Sequence, residues 1–328
     1  MISVIIPTRN RADMLSIAID SIRNQNLLPY HFEILVVDNG STDHTAAIVQ
    51  NLMRYFGNMN YIYEPEPGLH AGRHRGMLDA RGDILIFADD DIEALPTWLS
   101  SVQEAFLDTD VAMVGGNNLP KFMDTPPQWL IDLWLCPGYK GGHAITALSI
   151  LELPPGRYRL SPLYIWGCNF AIRKSVLLQA GGFHPDGMPK DMIRFRGDGE
   201  SHVSQYVVNR RLKCMFHSGA SVYHKVTPER MTYAYFRQRG FSQGISDSYT
   251  QLRTEAFPTT VHPPFHYRVA RWGWRKLKTL VRLLKTNTAT RKALNEFISG
   301  HREGFAYHQN AYRTDPDVHE WVHRERYF

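Results

Sequence analysis

Ile84-Leu85-Ile86-Phe87-Ala88-Asp89-Asp90-Asp91 runs an apolar stretch straight into three carboxylates. The Ile-, Leu- and Phe-rich half reads as a strand buried on both faces. Carboxylates at the C-terminal edge of such a strand repel one another unless they meet a cation or hydrogen-bond donors. Hard divalent cations, Mg²⁺ or Mn²⁺, take oxygen ligands and commonly complete their shell with a substrate's phosphates. Open α/β sheets bind ligands at the carboxyl ends of their strands. The stretch therefore predicts a metal–nucleotide site at the lip of a sheet; the plainer alternative is a solvated acidic turn.

Strand and helix signals alternate on the N-terminal side of it. Ser3–Ile6 reads as a strand ended by Pro7, and 13–24 as a helix with Met14, Leu15, Ile17, Ala18 and Ile22 on its apolar face. Phe32–Val37 is a second buried strand, closed by Asp38-Asn39-Gly40-Ser41. Ser41 or Thr42 can cap a helix over 46–55. A short strand at Tyr61–Tyr63 and a helix over 71–80 lead into the strand Asp83–Ala88. Such alternation means βαβ units and a mostly parallel, Rossmann-like sheet.

Past Pro96 the pattern loosens. Val111–Gly115 is another strand, and the Pro- and aromatic-rich stretch 119–164 reads as long loops with short helices. Strand character returns at Gly167–Ile172, then a helix over 175–180 closed by Gly181-Gly182, a helix over 203–211 and a strand near Ala220–Tyr223. From about residue 229 the chain becomes Arg-, Tyr- and Trp-rich and mostly helical. Within it, 268–285 interleaves seven Arg and Lys residues with Trp272, Trp274 and several Leu and Val. Such a basic amphipathic helix suits an anionic membrane surface or packs on the catalytic domain with a solvated basic face. Confinement of the basic residues there, with no recognition motif, argues against nucleic acid as a partner.

The 328 residues are 43% hydrophobic and 21% charged, an ordinary globular composition with room for a sizeable core. Cys136, Cys168 and Cys214 are too few for a disulfide framework and lie at no metal-ligand spacing, which points to a reducing compartment. No signal peptide and no run of roughly 18 apolar residues is found, so a cytoplasmic protein, at most peripheral on the membrane, is expected.

With these motifs and Pro96-Thr97-Trp98-Leu99 in order along 1–240, the chain resembles family 2 glycosyltransferases of the GT-A fold. The resemblance implies a catalytic domain over 1–240, with a nucleotide-binding half at 1–118 and an acceptor and catalytic half at 119–240. A basic, mostly helical extension then fills 241–328. Val4-Ile5-Ile6-Pro7-Thr8-Arg9-Asn10-Arg11 is similar to the family's first strand and nucleotide-contacting turn, which assigns Pro7, Thr8 and Arg9 to the nucleotide. Val36-Val37-Asp38-Asn39-Gly40-Ser41 is similar to its second, and Asp38 inherits recognition of the base; a carboxylate facing a ring N–H makes a charge-assisted hydrogen bond. Gly68-Leu69-His70-Ala71-Gly72-Arg73-His74-Arg75-Gly76 resembles the family's glycine-and-arginine helix start, with Arg73 near the nucleotide. Here Gly72 and His74 replace the commoner Ala and Asn.

Asp89-Asp90-Asp91 corresponds to the DxD element, which implies Asp89 and Asp90 close to the ribose and Asp91 on a Mn²⁺ or Mg²⁺ ion. Trp166-Gly167-Cys168-Asn169 resembles the segment beside the donor sugar, where Asn169 can exchange hydrogen bonds with hydroxyls. Gly197-Asp198-Gly199-Glu200 stands at the catalytic acidic motif, where many members read Glu-Asp. Asp198 is the expected general base and Glu200 its rival; Asp198 also reads as a helix N-cap. Val222-Tyr223-His224 looks like the strand end that supplies a histidine metal ligand.

The expected activity is inverting transfer of a hexosyl group, from a UDP-sugar by preference, to a hydroxyl of a glycan, lipid-linked glycan or metabolite. An inactive nucleotide- or glycan-binding relative and a nucleotidyltransferase are the alternatives. A dehydrogenase is disfavoured because no G-x-G-x-x-G follows the first strand.

Overall fold

The computed structural model describes residues 1–256 and 287–328. The basic stretch 268–285 lies outside the described residues. Contacts divide the chain into two units, Met1–Lys121 with Gly138–Val226 and Arg324–Phe328, and Phe122–Pro137 with the described part of Thr227–His323.

The first unit is α/β. Its strands and helices, in chain order, are β1 (Ile2–Thr8), α1 (Ala12–Arg23), β2 (Phe32–Asp38), α2 (Thr45–Met53), β3 (Met59–Tyr63), α3 (Leu69–Asp79), β4 (Ile84–Ala88), β5 (Ile92–Ala94), α4 (Trp98–Ala105), β6 (Val111–Gly115) and β7 (Asn118–Phe122). After α5 (Gln128–Trp134), which belongs to the second unit, follow β8 (His143–Ile145), β9 (Ile150–Glu152), β10 (Arg157–Arg159), β11 (Asn169–Arg173), α6 (Lys174–Gln179), α7 (Glu200–Asn209), β12 (Lys213–His217) and β13 (Val222–Val226). Eight strands form one sheet in the order β10-β12-β6-β11-β4-β1-β2-β3. Parallel pairing runs through β4-β1-β2-β3, and β11 inserts antiparallel between β4 and β6.

Alternation along each strand serves two cores. Val4, Ile6, Ile34, Val36 and Ile86 face Leu15, Ile19 and Ile22 of α1 and Trp98, Leu99 and Val102 of α4. Ile5, Leu35, Val37, Leu85 and Phe87 face Met77 of α3, Leu177 of α6 and Val203 and Val207 of α7. Each such buried side chain contributes about 1.5–3 kcal/mol, so period two along strands and 3.6 along helices together fix the doubly wound arrangement.

Three readings of the sequence change. Pro7 does not end β1; it pairs with Val37 in the ladder, tolerated because β1 meets β4 only up to Ile5. The cap of α2 comes from neither Ser41 nor Thr42. Asp43 Oδ1 accepts from the Thr45 N–H at 3.0 Å and from its hydroxyl. The stretch 119–164 is not only loop and helix, since its short strands join β5 and β13 in a second sheet, β5-β13-β7-β9-β8. The glycine closure of α6 holds, with Gly181 and Gly182 at φ +84° and +76°.

In the second unit α8 (Tyr233–Ala256) packs along α9 (Thr288–Thr314), followed by α10 (Pro316–His323). Gly240 meets Phe297, Gly244 meets His301, and Ser248 bonds His308, so the two helices run parallel. Trp129 of α5 stacks on Tyr233 at 5.0 Å near the start of α8. Among the described residues no helix is long and apolar enough to cross a membrane.

Candidate active site

The aspartates at the end of β4 do find donors. Thr8, the last residue of the adjacent β1, donates its hydroxyl to Asp90 Oδ2 at 2.7 Å. Arg11 opens α1 and reaches back with Nη1 to Asp90 Oδ1 and Asp91 Oδ2, both at 3.0 Å. Burial is the largest influence on Asp90; with the Asp91 charge it outweighs Arg11 and pushes the carboxyl up to about 7. At the end of β2, Asp38 is buried and accepts from the Ser41 N–H at 2.7 Å and the Tyr61 hydroxyl at 2.8 Å. Its neighbour Asn39 accepts from the Gly68 N–H, which ties this strand end to the start of α3. Pro7 is buried, and Arg9 is exposed beside it.

Antiparallel pairing of β11 with β4 sets Asn169 opposite Ala88. One residue further along each strand, Cys168 comes to face Asp89. His224 of β13 pairs with Ile92 of β5 and so falls beside the same turn. Ligand atoms of Asp89, Cys168 and His224 all lie within 4.8 Å of one another. His224 Nε2 is also 3.2 Å from Asp91 Oδ1.

Arg73 sits on the inner face of α3 with 2% exposure. Its Nη2 is 3.7 Å from Asp89 Oδ1 and its Nη1 3.5 Å from Glu200 Oε2. The guanidinium also stands over the Phe183 ring at 5.2 Å. Gly167 makes room for it, because a Cβ there would overlap Nη2. Glu200, the first residue of α7, accepts in turn from the Gly167 N–H at 3.2 Å. Metal-ligand candidates, arginine and acid thus form one contiguous set. Asp198 faces elsewhere: its Oδ1 lies 2.6 Å from Nδ1 of buried His184, and it does not cap α7, whose N-cap Gly199 has no side-chain bond. Asn169, read as a sugar contact, is 3% exposed. It accepts from Trp98 Nε1 at 2.9 Å and donates to the Ala220 carbonyl at 3.0 Å. Its amide ties β11 to α4 and to the turn before β13.

The family model described as glycosyl transferase family 2 matches residues 3–179, more than half of the chain. The chain belongs to glycosyl transferase family 2. Among curated relatives of this family 2 chain, glycosyltransferase AglE of Haloferax volcanii is 34% identical over 117 residues, 35% of this chain and 38% of that protein. The GalNAc(5)-diNAcBac-PP-undecaprenol β-1,3-glucosyltransferase of Campylobacter jejuni is 38% identical over 109 residues, covering 31% and 33%. The chain thus spans little more than a third of these relatives' length. The mannosyltransferase PcManGT from Pyrobaculum calidifontis, solved with GDP-Man and Mn²⁺, superposes with a TM-score of 0.55 at 17% identity. That likeness covers 98% of this chain and 82% of that one, and the fold is GT-A.

Arg11 and Cys168 stand beside the expected residues, and His184 beside Asp198, without a sequence signal of their own. Arg11 carries no role from its motif alone, yet it pairs with both Asp90 and Asp91. Cysteine spacing along the chain matches no metal motif, so Cys168 has no local signal. The cluster is assembled across strands, and only the register of β11 on β4 could have exposed it. His184 carries no sequence signal beyond being a histidine, which is more often a satisfied core residue.

Proposed function

We propose that the chain transfers a sugar from a nucleoside-diphosphate sugar to an acceptor hydroxyl by single displacement with inversion, with Glu200 as general base. The observation that carries this reading is the position of Arg73, whose guanidinium lies between Asp89 at the strand lip and Glu200 at the start of α7. A positive charge there is read as the partner of the diphosphate, with a carboxylate left on its far side. The choice of Glu200 over Asp198 is supported by access. The Glu200 side chain keeps 23% exposure, against 9% for Asp198, which is held by His184.

Asp38, Thr8, Asp90 and Arg11 are read as the wall that orients base and ribose. A carboxylate suits the N3–H of uracil and the N1–H of guanine alike; uridine is the base we choose, on the family resemblance. Asp89, Cys168 and His224, with Asp91 beside His224, are the residues that would hold a divalent cation, and their mixed oxygen, nitrogen and sulfur donors fit a transition metal. When bound, such an ion supplies Lewis-acid neutralisation of the departing diphosphate. Glu200 removes the acceptor's proton as the hydroxyl oxygen attacks the anomeric carbon and the nucleoside diphosphate leaves. The acceptor is read as a glycan or lipid-linked glycan, a class that the name of the Campylobacter relative supports. The basic stretch 268–285 is, on its sequence, our candidate for contact with an anionic membrane.

Thermal-shift titration with UDP and GDP, with and without Mn²⁺, tests the donor site, because ligand bound to the native state raises Tm. Glu200→Gln is expected to lose about 10²–10⁴ in kcat while keeping the nucleotide-induced shift. Asp198→Asn should retain most of its activity; a dead Asp198→Asn beside an active Glu200→Gln would move the base to Asp198. The anomeric configuration of the product, read by NMR, tests inversion.

A further inference from the structure

We infer that Cys168 is a metal ligand and that the site prefers thiophilic divalent cations, Zn²⁺ and Cd²⁺, over Mg²⁺. The inference builds on the donor-site reading above. Three chain positions far apart in sequence converge: Asp89 follows β4, Cys168 precedes β11 and His224 lies in β13. Their ligand atoms fall within 4.8 Å of one another, close enough that a small contraction would let one ion be held by all three, given metal–ligand lengths of about 2.0–2.3 Å. His224 lies within a paired strand, and Asp89 and Cys168 each stand one residue beyond the Ala88–Asn169 pair. Cys168 continues the β11–β4 ladder, His224 pairs across to Ile92, and the Ala88–Asp89 step leaves the core strand.

Burial adds a second argument. Cys168 and His224 are each 2% exposed, whereas Asp89 keeps a third of its side-chain exposure and faces the open lip. A thiol and an imidazole therefore form the inner wall, and the carboxylate forms the side that substrate phosphates would approach. Aspartates alone make a hard oxygen site suited to Mg²⁺ or Mn²⁺; a thiolate and an imidazole shift the preference toward softer ions. Metal binding to this set displaces the thiol proton to solvent as the metal–sulfur bond forms, so affinity rises with pH. The other two cysteines take no part in the cluster.

The test is titration of the metal-free, reduced full chain with Cd²⁺, followed through the thiolate-to-metal charge-transfer band in the ultraviolet. One band saturating at one equivalent is expected. It should vanish in Cys168→Ser, weaken in His224→Ala, and persist in Cys136→Ser and Cys214→Ser. X-ray absorption on the Zn²⁺-loaded wild type gives a readout that needs no variant, and a sulfur scatterer at about 2.3 Å is expected. Absence of sulfur in that shell, or a band unchanged in Cys168→Ser, overturns the proposal. UDP and GDP binding is measured on the same samples. A nucleotide-induced shift without a sulfur ligand sinks the Cys168 assignment and leaves the donor site standing; a sulfur ligand without nucleotide binding does the reverse.

Discussion

Arg73 and Gly167 show how tightly single residues are matched in this site. The arginine reaches Asp89 and Glu200 only because position 167 lacks a side chain, and Gly167 also donates its N–H to Glu200. Gly167→Ala forces the guanidinium to move by something near an ångström. Misplacement on that scale costs about 10²-fold in rate, so the variant should lose roughly that in kcat, with a Tm close to wild type. Steady-state kinetics beside a melting curve check this, and an unchanged kcat would count against a role for Arg73. At this scale the sequence was partly legible. The aspartates, Arg73, Glu200 and His224 carry side chains whose chemistry identifies them wherever they fall. Asn169 carries equally suggestive chemistry, yet its amide is consumed by Trp98 and Ala220. No local pattern announces which neighbours a buried amide will have.

Between elements, α8 and α9 approach backbone to backbone. Gly240 and Gly244 on one, and Gly300 and Gly304 on the other, each lie so near the partner backbone that a Cβ would overlap a carbonyl oxygen. Arg237 then bridges to Glu296 at 2.9 Å and Glu303 at 2.6 Å on the exposed side. Exposed pairs of this kind contribute little, so the glycine contact sets the spacing. Gly244→Ala must push the helices apart or bend them, an overpacking cost of about 1–3 kcal/mol, measurable as a lower urea midpoint. Helical character after residue 229 could be read from composition and periodicity, and so could those main-sheet strands that are apolar runs with clear ends. The strands β10 (Arg157-Tyr158-Arg159) and β12 (Lys213-Cys214-Met215-Phe216-His217) are short and edged by charge, and carry no such signal. Of the second sheet only β13 is legible, as the strand near Ala220–Tyr223. Its other strands are as short as three residues and rich in turns, below the length at which alternation becomes a signal.

For the molecule as a whole, three buried histidines make stability depend on acid. His74 accepts from the Phe183 N–H through Nε2 at 2.9 Å and lies 3.1 Å from the Tyr327 carbonyl through Nδ1, so the neutral Nδ1–H form fits both bonds. Burial, aided by His70, pushes His74 down to about 3, and burial pushes His70 and His308 down to about 4. These groups bind protons more readily unfolded than folded. The histidine contribution to stability should therefore be level above pH 6.5, fall as pH drops below it, and stop falling near pH 3, while the raised carboxyl of Asp90 acts in the opposite sense up to about pH 7. Urea midpoints at pH 7, 5 and 4 check the slope, and His74→Gln should make it shallower. The parallel run of α8 and α9 has a further consequence, in the order of events by which the chain folds. Helices joined by a short turn pair through contacts close in sequence, whereas here Ser248 and His308 meet across 60 residues. Pairing of such distant segments closes a long loop first, which slows folding. On a ribosome α8 would emerge with its glycine face bare and wait until α9 had been synthesised, leaving this second unit as the late, chaperone-dependent step of maturation.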